Sequence, residues 1–153
     1  MQFIIHVSTL ITNQQEQILC VHEKKEQVFN KLNLLGGHLE LREGLIEGAK
    51  REVREEVGVE VKIEGLIGIY TGQGKDHYIH FIFSGTIISG TPVANKNEIH
   101  DCGWYSEEEI QKMPEDQILT PKKLKKVIAD YKSGKLGSLD FITEMIYPTG
   151  GNL

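Results

Sequence analysis

Residues 37–59 read Gly37-His38-Leu39-Glu40-Leu41-Arg42-Glu43-Gly44-Leu45-Ile46-Glu47-Gly48-Ala49-Lys50-Arg51-Glu52-Val53-Arg54-Glu55-Glu56-Val57-Gly58-Val59. From Leu45 to Val57 the apolar spacing is helical: at about 100° per residue, Leu45, Ala49, Val53 and Val57 fall within a stripe roughly 120° wide. Gly58 supplies the stop. On the same wheel Glu52, Glu56 and Glu55 lie about −20°, +20° and −80° from Leu45, so three carboxylates crowd one face. Glu56 overlaps the edge of the apolar stripe and is expected to be partly covered by protein. Like charges within about one turn repel, and near a helix C-terminus the macrodipole disfavours them further. An acidic run is ordinarily a solvated face, but nothing in such a face rewards this spacing. A divalent cation does, and hard oxygen ligands suit Mg²⁺, which retains waters and accepts substrate phosphate oxygens. Arg51 is expected to project to another side of the helix, where a charge-assisted pair with Glu43 would brace the Gly37 loop.

Outward from this stretch, Phe3 to Thr12 is rich in β-branched and apolar residues and ends at a polar turn, Asn13 to Glu16. Residues 17–23 read as a second strand, and the pair as a hairpin. Leu32 to Leu35 is a short apolar approach to Gly36-Gly37. Val59–Tyr70 and Tyr78–Ile88 read as strands joined by a glycine-bearing loop, Thr71 to Asp76. A short strand is expected around Trp104, itself a core anchor. Ser106 with Glu109 forms a capping box, and Thr120-Pro121 opens a helix to about Tyr131. The tail after Ser133 carries no clear pattern.

The composition narrows the function. At 153 residues the chain has the length of one domain, with 39% apolar and 25% charged residues, which excludes disordered, fibrous and coiled-coil classes. No apolar run is long enough to span a bilayer, and the opening Met-Gln-Phe-Ile-Ile-His-Val lacks a basic flank and cleavage site, so neither membrane nor export is expected. Cys20 and Cys102 fit no disulfide framework or zinc spacing and suit a reducing cytoplasm. A net charge of −5 argues against a nucleic-acid-binding face. A small polyanion remains an acceptable ligand if a cation helps locally.

The 37–59 stretch resembles the signature of the Nudix hydrolase family, Gly-x5-Glu-x7-Arg-Glu-U-x-Glu-Glu-x-Gly-U with U aliphatic, at every specified position. Chance agreement at nine positions in a chain of this size is on the order of 10⁻⁷ or less. Two neighbours depart from common usage: Leu35, where proline often precedes the glycines, and Leu41-Arg42-Glu43, where Pro-Gly-Glu is frequent. The resemblance implies one Nudix domain over residues 1–153, an α/β fold of the α/β/α sandwich type with a mixed β-sheet. It also implies hydrolysis of a nucleoside diphosphate linked to a further group. By carry-over Gly37 (through its carbonyl), Glu52, Glu55 and Glu56 would ligate Mg²⁺, with Mn²⁺ as an alternative. Glu98, in a loop beyond the signature, would complete the metal shell or activate water. Homodimerisation fits the resemblance, although no residue requires it.

Chemistry follows from charge. Bound Mg²⁺ neutralises diphosphate oxygens and acidifies a coordinated water, and a carboxylate takes the proton. Glu52, Glu55 and Glu98 are therefore the catalytic candidates, and either Glu55 or Glu98 is the base. Residues 60–88 contain no proline, which disfavours an NADH pyrophosphatase, and Gln73-Gly74-Lys75 stands where many ADP-ribose hydrolases carry one. A nucleoside triphosphate or modified nucleotide is the leading substrate, with nucleotide sugars and ADP-ribose next. A catalytically quiet ligand-sensing module and a non-Nudix cation-binding domain are the competing classes. Tyr78 and His80 share one strand face and are candidates to stack on a base, although partly buried strand residues look the same. His38 reads as a loop histidine, because Mg²⁺ prefers oxygen. The four lysines from Lys122 to Lys126 read as a solvated face, with phosphate steering as the lesser alternative.

Overall fold

The structure is a computed structural model that describes residues 1–145. Of the tail after Ser133, residues 146–153 lie outside the described residues. Six strands form one sheet in the order β4-β5-β1-β3-β2-β6. They are β1 (Phe3–Ile11), β2 (Ile18–His22), β3 (Leu32–His38), β4 (Glu60–Gln73), β5 (His77–Ser89) and β6 (Asp101–Tyr105). β1 and β5 run parallel, and the other neighbours antiparallel, so the sheet is mixed. Alternation along each strand feeds two cores. Val7 and Ile11 pack with Ala49, Val53 and Val57 of α1 (Leu45–Val57), with Trp104 at the margin. Leu10 packs instead with Ile110 of α2 (Glu107–Lys112) and with Leu124, Val127 and Ile128 of α3 (Pro121–Lys132). This is the expected α/β/α sandwich, and each fully buried aliphatic side chain contributes about 1.5–3 kcal/mol.

Local chemistry sets the helix limits. Gly58, at φ 71°, closes α1 with its N–H donating to the Arg54 carbonyl at 3.0 Å. In α2 the Ser106 Oγ accepts from Glu109 N–H at 3.1 Å while Glu109 Oε2 accepts from Ser106 N–H at 2.7 Å, the reciprocal capping box read from the sequence. The loop before α1 holds Arg42 at φ 67°. A side chain in that left-handed region costs roughly 1–2 kcal/mol.

Two expectations are corrected. β1 and β2 meet only at an isolated Thr12–Ile18 bridge; beyond it they splay, and β3 inserts between them, pairing with both. The hairpin reading failed because local turn signals cannot reveal a third strand that arrives later in the chain. The loop expected from Thr71 to Asp76 is shorter, since Thr71, Gly72 and Gln73 pair with Ile79, Tyr78 and His77. Strand β4 also breaks register with β5 at three places, Glu60/Val61, Ile63/Gly65 and Leu66/Gly68. Among the described residues no helix is long and apolar enough to cross a membrane.

After α3 the chain turns back over the α1 side. Gly137 and Leu66 exchange two backbone hydrogen bonds of 2.7 and 2.9 Å, and Leu139 and Ile142 pack against the α1 core. Gly44 gives α1 no side-chain cap, and Glu144 Oε1 accepts from Ile46 N–H at 3.2 Å in its place. A carboxylate there also meets the positive end of the helix dipole. The substitution Glu144→Ala is expected to lower the unfolding free energy by about 0.5–1 kcal/mol, read as a lower urea midpoint. An unchanged midpoint would show that α1 does not draw on that carboxylate.

Candidate active site

The last turns of α1 meet the end of β3 at Gly36 and Gly37, where absent side chains let the elements touch. A Cβ on Gly36 would collide with Ser8 and the Val7 carbonyl; one on Gly37 would stand 2.7 Å from Glu52 Cδ. Glu56 is only 8% exposed, and its Oε2 accepts from Gly36 N–H at 3.0 Å. Burial pushes its pKa well above the usual carboxylate range against the Gly36 hydrogen bond, and the negative charges of Glu52, Glu23 and Glu98 add to the rise. Glu52 is raised mainly by burial, with Arg51 opposing.

Arg51 is the hub. Its Nε and Nη2 grip both Glu43 oxygens at 2.6 and 2.9 Å, its Nη1 reaches Glu52 at 3.0 Å and Glu55 at 2.9 Å, and Nη2 also donates to the His38 carbonyl at 3.0 Å. The Glu43 brace is thus present, and the hydrogen bonds from Arg51 hold the Glu43 carboxyl below its ordinary range. The expectation that Arg51 sits on a separate side is corrected, because the long guanidinium fork spans the brace and two of the three clustered carboxylates.

A second loop completes the acidic wall. Asn95 N–H donates to the Glu56 carbonyl at 2.8 Å and its Nδ2 to the Glu55 carbonyl at 2.9 Å, so open carbonyls at the C-terminal end of α1 hold the loop. Its Oδ1 accepts from Asn97 N–H at 3.1 Å. With Ile99 buried beneath, Glu98 is left exposed on the cleft wall. Asn95 carries no sequence signal of its own; only the docked loop reveals it.

Facing these groups across a cleft of about 1130 Å³ are His6, Ser8, Tyr78, His80, Thr120 and Lys123. Parallel pairing of β1 with β5 sets Ile4 beside Tyr78 and His6 beside His80. His80 is 8% exposed; Ser8 Oγ lies 2.7 Å from its Nε2 and Lys123 Nζ 3.0 Å from its Nδ1. An ammonium only donates, so Nδ1 accepts and Nε2–H donates to Ser8. Both nitrogens are engaged, and His80 forms part of the floor, while Tyr78 is 38% exposed. His6 stands edge-on to His38, Tyr78 and His80, and its buried Nε2 has no hydrogen-bond partner among the described residues. Burial lowers the His6 pKa to about 4 and that of His80 to about 2, so both rings are neutral. Lys123 leaves the solvated lysine face expected for it because its ammonium reaches His80 on β5. His6, Ser8 and Lys123 escape sequence reading, since only long-range pairing brings them together.

Among the described residues no three His, Cys, Asp or Glu side chains stand as a ready metal cluster. Arg51 supplies the positive charge that Glu52 and Glu55 hold. That engagement, an all-oxygen donor set and a buried Glu56 carboxylate fit a hard divalent cation better than a soft one.

Residues 3–127 match the family model described as NUDIX domain. A solved NUDIX hydrolase from Nitrosomonas europaea superposes with a TM-score of 0.82 at 32% identity, covering 97% of this chain and 99% of that one. An ADP-ribose pyrophosphatase from Methanocaldococcus jannaschii is 26% identical over 83% of this chain and 72% of its own length. A putative 8-oxo-dGTP diphosphatase from Bacillus subtilis is 28% identical over 82% and 77%.

The His80 environment predicts a pH effect. Its folded pKa of about 2 lies below the ordinary 6.5, so as pH falls through 6.5 the unfolded chain binds a proton that the folded protein refuses. Wild-type stability relative to His80→Gln is expected to fall by up to about 1 kcal/mol per pH unit between 6.5 and 5. Urea midpoints of both proteins at pH 7.5, 6.5 and 5.5 measure it. A constant difference would mean that the folded ring takes up the proton.

Proposed function

The chain belongs to the NUDIX family of pyrophosphohydrolases, and on that premise we propose that it uses Mg²⁺, with Mn²⁺ as a substitute, to hydrolyse a nucleoside diphosphate linked to a further group. The favoured substrate is a nucleoside triphosphate or modified nucleotide. The reading rests on the complete carboxylate set, with buried Glu56 held at the Gly36–Gly37 end of β3 and Glu52 and Glu55 beside it. A quiet sensing module would have little use for an intact set. The Bacillus subtilis relative's name supports a modified nucleotide. That of the Methanocaldococcus jannaschii relative favours a second reading, ADP-ribose.

In this proposal Glu52, Glu55, Glu56 and the Gly37 carbonyl hold the cation. When bound, it supplies charge neutralisation for the diphosphate oxygens and acidifies a coordinated water. The Gly36 N–H fixes one Glu56 oxygen, and Arg51, braced by Glu43, holds the end of β3 that carries Gly37 through the His38 carbonyl. The proton from the attacking water passes to Glu98 or Glu55. Glu55 is engaged by Arg51, whereas Glu98 makes no ion pair among the described residues. Tyr78, exposed on the cleft, would stack on the base, with buried His80 two residues further along the same strand.

A Mg²⁺-dependent screen over nucleoside triphosphates, oxidised nucleotides, nucleotide sugars and ADP-ribose, with products identified, tests the reading. Glu56→Gln is expected to fold and to lose about a hundredfold in kcat, a barrier increase of roughly 2.7 kcal/mol. Near-normal turnover by a folded Glu56→Gln protein would remove Glu56 from the cation site. Absence of turnover across the whole panel by the wild type would overturn the hydrolase reading.

A further inference from the structure

The cleft is lined by Glu52, Glu55, Glu56 and Glu98, with Arg51 among them, and separately by neutral His6 and His80 together with Lys123. Among the described residues no carboxylate stands within ion-pair distance of the Lys123 ammonium. The one acid in α3, Asp130, lies about two turns further along the helix and is engaged by Tyr70, Lys126 and Lys135. A half-buried ammonium without a counter-ion is costly, and such charges are normally paired. Burial indeed lowers the Lys123 pKa.

Lys123 is also held in place. His80 Nδ1 accepts one ammonium proton at 3.0 Å, and Ser8, 2.7 Å from Nε2, fixes the ring. An ammonium has three donors, so two remain for a ligand. The position is informative. Ser8 pairs with Gly36 across β1 and β3, and His80 lies on β5, the next strand beyond β1. Lys123 therefore stands over a strand about 10 Å, two strand spacings, from the one whose Gly36 N–H holds Glu56.

We infer that Lys123, positioned by His80 and Ser8, binds a phosphate oxygen of the substrate that the carboxylate-held cation does not reach. Resting on the hydrolase reading above, this narrows the substrate class to nucleotides with a phosphate beyond the scissile linkage, such as a nucleoside triphosphate. A diphosphate sugar with a neutral distal group offers Lys123 hydroxyl acceptors but no anionic oxygen to balance its charge.

The test combines kinetics with binding. For Lys123→Met, and for Lys123→Gln as a second neutral variant, KM for a nucleoside triphosphate is expected to rise about tenfold or more while kcat stays within threefold. Lys123→Arg should restore most of the affinity, and KM for UDP-glucose should move less than twofold. Calorimetry with Mg²⁺ and an α,β-methylene nucleoside triphosphate reads the same contact without turnover, and the neutral variants should bind it about tenfold more weakly. A wild type that binds this analogue but hydrolyses nothing would defeat the hydrolase reading; the tenfold difference would still support the Lys123 contact. The inference is overturned if the neutral variants bind it as the wild type does, if the wild type does not bind it, or if KM for triphosphate and sugar rise equally.

Discussion

Concentrated negative charge at the end of one helix is the constraint to which the rest of the molecule answers. Three carboxylates within about one turn disfavour the folded state unless positive charge is brought among them. Arg51 does so in this structure, joining Glu43, Glu52 and Glu55 through a single guanidinium. The third carboxylate, Glu56, is instead buried against a backbone N–H and drawn toward its neutral form. The cluster is thus held in a state that a divalent cation would rearrange, since such an ion competes with Arg51 for the same oxygens.

The mixed sheet makes that chemistry usable. β3 pairs with β2 near its start and with β1 near its end, so its glycines come to lie beside Ser8 and beneath α1. Parallel pairing of β1 with β5 then carries the floor across to Tyr78 and His80, and α3 lowers Lys123 onto it. Acidic and basic walls come from elements far apart in the chain. Their mutual placement depends on strand order and on no local motif.

This explains what could be read in advance. α1 was legible to its ends because helical periodicity and the Gly58 stop are local, as was the capping box of α2. The covering of Glu56 followed from its place at the edge of the apolar stripe. The hairpin reading of β1 and β2 failed for the opposite reason, since the intervening strand lies later in the sequence. Lys123 looked like one more solvated lysine because its surroundings are supplied by β5 and β1. Arg51 was assigned by the direction of its Cα–Cβ bond, yet its fork reaches round the helix to the cluster.

The three register breaks in β4 bear on self-association. β4 is an edge of the sheet and carries half-exposed Ile69, the kind of strand on which another chain could continue the ladder. Each break bends and twists the strand, and the longest uninterrupted pairing with β5 runs from Gly68 to Gln73. Gly137 already takes both backbone groups of Leu66, so a neighbouring chain adding to this edge would find its ladder occupied at Leu66 and bent at each break.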